Sequence, residues 1–296
     1  MRIVSLLPST TEILFAIGAG EDVVGVTFEC DTPAEARERR VVSTSTMPEG
    51  LSPADIDAYV AKAIAAGEDL YHLDAGALGE LDADLVVTQD LCAACAIDVE
   101  AVDDALAFLG CRAEVATVDP HTVGEVLDAV LDLGRRTGRP ESARRLVAGL
   151  QARLRAVTER VAALPRPRVA LLEWTDPPYS PGHWLPEMVT LAGGEPVLGV
   201  AGGRSGRVTW DLVRATRPDV VVCAPCGYGL DDSAELARAA LPHLPDVPVW
   251  AVDANAAFTR PGPRLVDGIE ALAAILHPEA VGPPPAASAR SLREAS

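Results

Sequence analysis

Two Cys-x-x-Cys pairs, Cys92-Ala93-Ala94-Cys95 and Cys223-Ala224-Pro225-Cys226, have the residue type and spacing that bear most directly on chemistry. Thiolates at this spacing can grip one metal ion, and a pair from each half of the chain would complete a tetrahedral shell. Cys30, in Phe28-Glu29-Cys30-Asp31, is a further loop thiol, whereas Cys223 sits inside an apolar run and Cys111 in a turn that reads as packing. Three chemistries follow. Cys30, Cys92, Cys95 and Cys226 can hold zinc or an iron-sulfur cluster, with the protein acting as an enzyme or a sensor. The thiols can instead be small buried apolar residues. A redox pair is the weakest fit, because Gln89-Asp90-Leu91 precedes Cys92 where such motifs commonly carry an aromatic.

A second constellation is Leu172-Glu173-Trp174-Thr175-Asp176-Pro177-Pro178-Tyr179, followed by Gly182-His183-Trp184-Leu185-Pro186-Glu187. Flat aromatic faces beside a carboxylate and an imidazole suit a large conjugated or apolar ligand with polar edges. His183 can ligate a metal or exchange a proton near neutrality. The competing assignment has Trp174 and Trp184 filling an interface and His183 capping a helix. Four tryptophans in a chain that is only 4% aromatic favour a specific use. Asp253 to Gly262 sets Phe258 and Arg260 where a ligand or a structural ion pair can be met. The stretch Gly202-Gly203-Arg204-Ser205-Gly206 reads as a mobile loop. No Gly-x-x-x-x-Gly-Lys or Gly-x-Ser-x-Gly motif occurs, and no catalytic residue or reaction is assigned.

The elements that must position these groups alternate strand with helix. Arg2 to Leu6 reads as a buried strand, and Pro8-Ser9-Thr10-Thr11-Glu12 opens a helix through Ala16, with Ser9 or Thr10 as cap. A helix N-terminus at the end of a first strand points amide donors toward a ligand. Strands are expected at 23–26, 84–88, 113–118, 169–172, 220–223 and 247–252, with helices at 53–66, 99–109, 234–240 and 264–276. Such alternation means parallel sheets, whose ligands sit outside the carboxyl ends of the strands. Between Thr122 and Leu164 the apolar spacing is helical, interrupted at Gly138-Arg139-Pro140. The expected division is an N-terminal lobe over 1–120, a long backbone helix over 121–164, a C-terminal lobe over 165–277 and a disordered tail over 278–296. The tail rests on Pro283-Pro284-Pro285 and low apolar content.

Length and charge narrow the partners. A chain of 296 residues fits two domains of ordinary size. A formal net charge of -18 opposes binding to phosphate backbones and anionic membranes, so neither nucleic acid nor membrane is an expected partner. The first residues, Met1 to Pro8, hold neither the apolar stretch of a secretory signal nor a span, which makes the cytoplasm the expected compartment and reduced thiols the expected cysteine state.

Ile3-Val4-Ser5-Leu6-Leu7-Pro8-Ser9-Thr10-Thr11-Glu12, the long central helix and Phe258-Thr259-Arg260-Pro261-Gly262-Pro263-Arg264 together resemble the cobalamin-type, class III substrate-binding proteins of ABC importers. Glu29-Cys30-Asp31, Gln89-Asp90-Leu91-Cys92-Ala93-Ala94-Cys95, Gly182-His183-Trp184 and Pro225-Cys226-Gly227 are similar to a signal-less subgroup labelled cobalamin-binding. The resemblance implies an α/β fold of two Rossmann-like lobes joined by a backbone helix. It implies a cytoplasmic small-molecule-binding protein with cobalamin or a related corrinoid in its cleft. Ser9, Thr10, Gln89, Asp90, Glu173, Trp174, His183, Trp184, Phe258 and Arg260 are then the candidate ligand-binding residues. The missing signal and the cleft cysteines depart from the importer pattern and put a transporter partner in doubt.

Overall fold

Short β-branched runs bounded by Asp, Pro and Gly form the strands here, because residues buried on both faces of a parallel sheet need not alternate with polar ones. The computed structural model describes residues 1–89 and 113–294. These divide into two units, Met1–Pro120 with Leu127–Val147 and His121–Val126 with Ala148–Ser296.

In the first unit β1 (Ile3–Ser5), β2 (Val23–Thr27), β3 (Arg40–Ser45), β4 (Tyr71–Leu73), β5 (Leu85–Thr88) and β6 (Glu114–Thr117) form one sheet in the order β4-β3-β2-β1-β5-β6. All pairings are parallel except β3 with β4. The chain winds outward from β1 on one side and returns to β5 on the other, so the switch point lies between the carboxyl ends of β1 and β5. Val4, opposite Gly25 and Val86, packs with Leu6, Val42 and Leu78 in the core. Each such side chain contributes about 1.5–3 kcal/mol on burial. Around the sheet lie α1 (Pro8–Ala16), α2 (Pro53–Ala66) and α3 (Ala75–Glu80). Helix α2 begins where Ser52 accepts from the Asp55 amide at 3.2 Å and ends on Gly67 at φ 67°.

The expected backbone helix is two helices, α4 (Val123–Arg136) and α5 (Pro140–Val161), parted by Gly138 at φ 69°. Proline at 140 cannot donate to a continuing helix, so the interruption is a break and α5 starts on Pro140. Residues 121–126 and 148–164 fall in the second unit and 127–147 in the first.

The second unit holds β7 (Arg168–Leu172), β10 (Glu195–Pro196), β12 (Val220–Cys223), β13 (Val249–Val252) and β14 (Ala289–Arg293) in the order β10-β7-β12-β13-β14. Its switch point lies between β7 and β12. A small antiparallel sheet of β8 (Trp174–Thr175), β9 (Pro178–Ser180) and β11 (Gly206–Arg207) stands just beyond β7. The unit also carries α6 (Leu185–Leu191), α7 (Trp210–Ala215), α8 (Leu230–Ala240), α9 (Ala254–Ala257), α10 (Leu265–Leu276) and α11 (Pro278–Val281).

Two local expectations are corrected. The tail expected to be disordered forms α11 and then β14, which runs antiparallel to β13 with Trp250 opposite Ser291. Its apolar content is low, but an edge strand draws its hydrogen bonds from a neighbour already in place. The glycine stretch 202–206, expected to be a mobile loop, is tied down. Gly203 accepts from the His183 amide at 2.6 Å, the Gly202 amide donates to the His183 carbonyl at 2.9 Å, and Gly206 pairs with Ser180. The predicted helix at 99–109 lies outside the described residues.

Candidate functional site

At the carboxyl end of β7 the chain turns out of the sheet with Glu173 and Trp174, and three backbone contacts fix it there. The Glu173 amide donates to the Tyr179 carbonyl at 3.1 Å, the Cys226 amide to the Glu173 carbonyl at 3.1 Å, and the Ala224 amide to the Leu172 carbonyl at 2.9 Å. These bonds hold the ends of β7 and β12 side by side at the switch point. Trp174 and Tyr228, one from each loop, meet there with ring centroids 5.6 Å apart and planes inclined by 50°. Both rings are half-buried. Trp174 Nε1 donates to the Asp176 carbonyl at 2.9 Å, which fixes the indole, and the Asn255 amide donates to the Tyr228 carbonyl at 2.9 Å, which brings in the end of β13. Burial, and then the Asp232 charge, raise the Tyr228 phenol above its ordinary range, so it stays a hydroxyl donor.

The loop between β9 and α6 carries the histidine. Gly182 donates its amide to the Glu173 carboxylate at 3.0 Å. A Cβ at 182 would lie 2.2 Å from the Ser205 nitrogen, so the close approach of the two loops requires glycine. His183 itself sits at φ 50°, held in that left-handed conformation by its two backbone bonds to 202 and 203. Its ring lies 5.5 Å from that of His121 and 5.7 Å from that of Trp184. Burial, followed by His121 and Arg204, lowers the His183 pKa, which leaves a neutral imidazole at neutral pH.

In the first unit the switch point between β1 and β5 is lined by hydroxyls and one thiol. Ser5 Oγ lies 2.7 Å from Thr10 Oγ1 and 2.8 Å from Thr11 Oγ1, and Thr11 Oγ1 lies 3.1 Å from Cys30 Sγ. Thr10 and Thr11 also donate to the Leu7 carbonyl at 3.1 Å. Ser9, Thr10 and Gln89 are all buried. The expected cap at Ser9 or Thr10 is not made: Leu7 is the N-cap residue, without a side-chain cap bond, and both polar residues lie inside α1.

The chain matches the family model described as "Periplasmic binding protein" over residues 3–250. The chain belongs to the periplasmic binding protein family. Among curated members of that kind, the uncharacterized ABC transporter substrate-binding lipoprotein YvrC of Bacillus subtilis is 25% identical over 94% of this chain and 80% of its own length. The vitamin B12-binding protein of Yersinia pestis is 26% identical over 90% and 82%. Of solved periplasmic binding proteins, the vitamin B12 binding protein of Vibrio cholerae superposes with a TM-score of 0.68 at 23% identity, covering 93% of this chain and 96% of the other. The heme binding protein of Pseudomonas aeruginosa superposes with 0.70 at 20% identity, covering 99% and 95%. The expected α/β architecture is therefore that of this family.

Within this family fold the expected site residues separate by burial. Glu173, Trp174, His183 and Arg260 are half-buried in the loops that follow β7, β9 and α9 of the second unit. Trp184 and Phe258 are 4% and 0% exposed, and Trp184 Nε1 donates to the Phe258 carbonyl at 2.7 Å, so both rings are spent on packing. Sequence reasoning missed Tyr228 and His121. Both follow predicted strands, at the end where a parallel sheet meets its ligand, and that position was the available signal.

The four-cysteine metal reading is not favoured. Among the described residues no group of three or more His, Cys, Asp or Glu is arranged to hold an ion. Cys30 belongs to the first unit and Cys226 to the second, while Cys92 and Cys95, like Asp90, lie outside the described residues. Cys223 is fully buried in β12, with its thiol pushed up to about 12 by burial, and a protonated thiol is a poor ligand. Among the described residues no helix is long and apolar enough to cross a membrane.

Proposed function

We propose that this protein binds a large, flat tetrapyrrole-type ligand, a corrinoid in first place, at the carboxyl ends of β7 and β12. The carrying observation is the half-buried Trp174 and Tyr228 pair at the switch point of the second sheet. Two inclined aromatic faces offer apolar area and edge contacts to a conjugated macrocycle, and the Tyr228 hydroxyl and Glu173 carboxylate can meet its polar rim. Relatives named as vitamin B12-binding proteins, 26% identical over nearly the whole chain, support a corrinoid, and the fold shared with a heme binding protein keeps haem as the second reading. The role is carriage or sensing of the ligand, without an assigned reaction.

The test is titration of the purified protein with cyanocobalamin and, separately, hemin, followed by quenching of tryptophan fluorescence. Saturable binding of one equivalent is expected, and Trp174→Ala should weaken it about tenfold, the equivalent of ~1.4 kcal/mol of lost stacking. Absence of binding for both ligands overturns the reading. Cell fractionation tests the cytoplasmic expectation and the doubtful transporter partner together. Recovery from the periplasm or with an importer overturns both.

A further inference from the structure

His121 and His183 reach each other from different elements, one just ahead of α4 and the other from the loop before α6. Their ring centroids are 5.5 Å apart with planes inclined by 47°. Two imidazoles that share one tetrahedral ion at a metal–nitrogen distance of about 2.0–2.1 Å place their centroids roughly 5 Å apart, so the spacing suits a common ion. His121 Nδ1 and His183 Nε2 are both shielded from solvent, and neither has a hydrogen-bond partner among the described residues. Buried nitrogens are nearly always paired, and two orphaned ones in touching rings call for a specific use.

The backbone at both histidines is held by contacts that leave these nitrogens uncommitted. The His121 amide donates to Glu125 Oε2 at 2.5 Å, and the Glu125 amide donates to Thr122 Oγ1 at 3.2 Å, which closes the start of α4. Glu187 Oε2 accepts from the Val123 amide at 2.8 Å, tying α6 to the same turn. His183 is locked by its bonds to Gly202 and Gly203. Anchoring the backbone in this way limits how far the two rings can move apart.

We propose that His121 and His183 form an open, two-imidazole site for one divalent ion of the nickel, copper and zinc series. Imidazole nitrogen suits these ions. No third His, Cys, Asp or Glu joins the pair among the described residues, so water or an exogenous donor completes the shell. The exposed Arg204 charge lies close to His183 and opposes a bare cation, which favours an anionic donor in the open positions.

The experiment is competition of chelator-stripped, full-length protein against a chromophoric chelator, with zinc and nickel as separate probes. One equivalent is expected to bind. His121→Ala and His183→Asn should each weaken binding by roughly tenfold or more, asparagine being chosen because it tolerates a left-handed backbone. His243→Ala, at a ring stacked on Trp210, should leave binding unchanged. Zinc should also raise the melting temperature of the wild type but of neither site variant. Undetectable binding, or binding retained in both site variants and lost in Cys92→Ser, overturns the proposal. Cyanocobalamin binding, measured on the same samples, reports separately on the aromatic site.

Discussion

The Glu173 carboxylate accepts the Gly182 amide at 3.0 Å, so a side chain at the end of β7 sets the position of the loop that carries His183. A charged acceptor on a backbone amide is worth about 1.5–3 kcal/mol, and a neutral amide oxygen can replace it at smaller cost. Glu173→Ala should destabilise the second unit by about 1–3 kcal/mol and Glu173→Gln by less, as read by urea denaturation. Hydrogen exchange should show faster opening at 182–184 in Glu173→Ala. Equal exchange in both variants would remove Glu173 from this role.

Glycine is needed at 182 for space and is merely tolerated at 149. A Cβ at 182 would meet the backbone of Ser205 and Arg204, whereas one at 149, exposed within α5, meets nothing within 4 Å. Gly182→Ala should cost about 1–3 kcal/mol from overpacking. Gly149→Ala should add roughly 0.5–1 kcal/mol by lowering the entropy of the unfolded chain and favouring the helix. Thermal melts of the two variants should move in opposite directions.

Burial lowers the His183 pKa from its ordinary 6.5, so near pH 6 the unfolded chain binds more protons at this residue than the folded protein does. Stability from this group is therefore complete above pH 6.5 and is lost as the pH falls through the folded value. Denaturation midpoints measured between pH 7.5 and 5 should decline, and His183→Asn should flatten part of that decline. An unchanged slope in the variant would contradict the assignment.

The three described cysteines should differ in reactivity. Cys226 is half-buried, Cys30 is 3% exposed, and Cys223 is 0% exposed with a thiol pushed up to about 12. Alkylation follows access and thiolate character. Brief iodoacetamide treatment of native protein, read by peptide mass spectrometry, should label Cys226 first and Cys223 last. Early labelling of Cys223 would mean that β12 opens readily.

By itself the sequence determined strands β1, β2, β5, β6, β7, β12 and β13, the interruption of helical spacing before Pro140 and the placement of Glu173, Trp174 and His183 after a buried strand, but not β3, β4, α3 or the small sheet of β8, β9 and β11. Those features rest on local causes: apolar periodicity, a missing donor at proline, and the rule that parallel strands present their carboxyl ends to a ligand. Tertiary structure alone decided that Trp174 meets Tyr228, that His183 meets His121 with two nitrogens unpaired among the described residues, and that Trp184 and Phe258 are consumed by the core. It also decided that 289–293 joins the sheet, against its composition. Each of these contacts closes a long loop and depends on which strands lie adjacent, and a residue's own propensity carries no information about a partner so far along the chain.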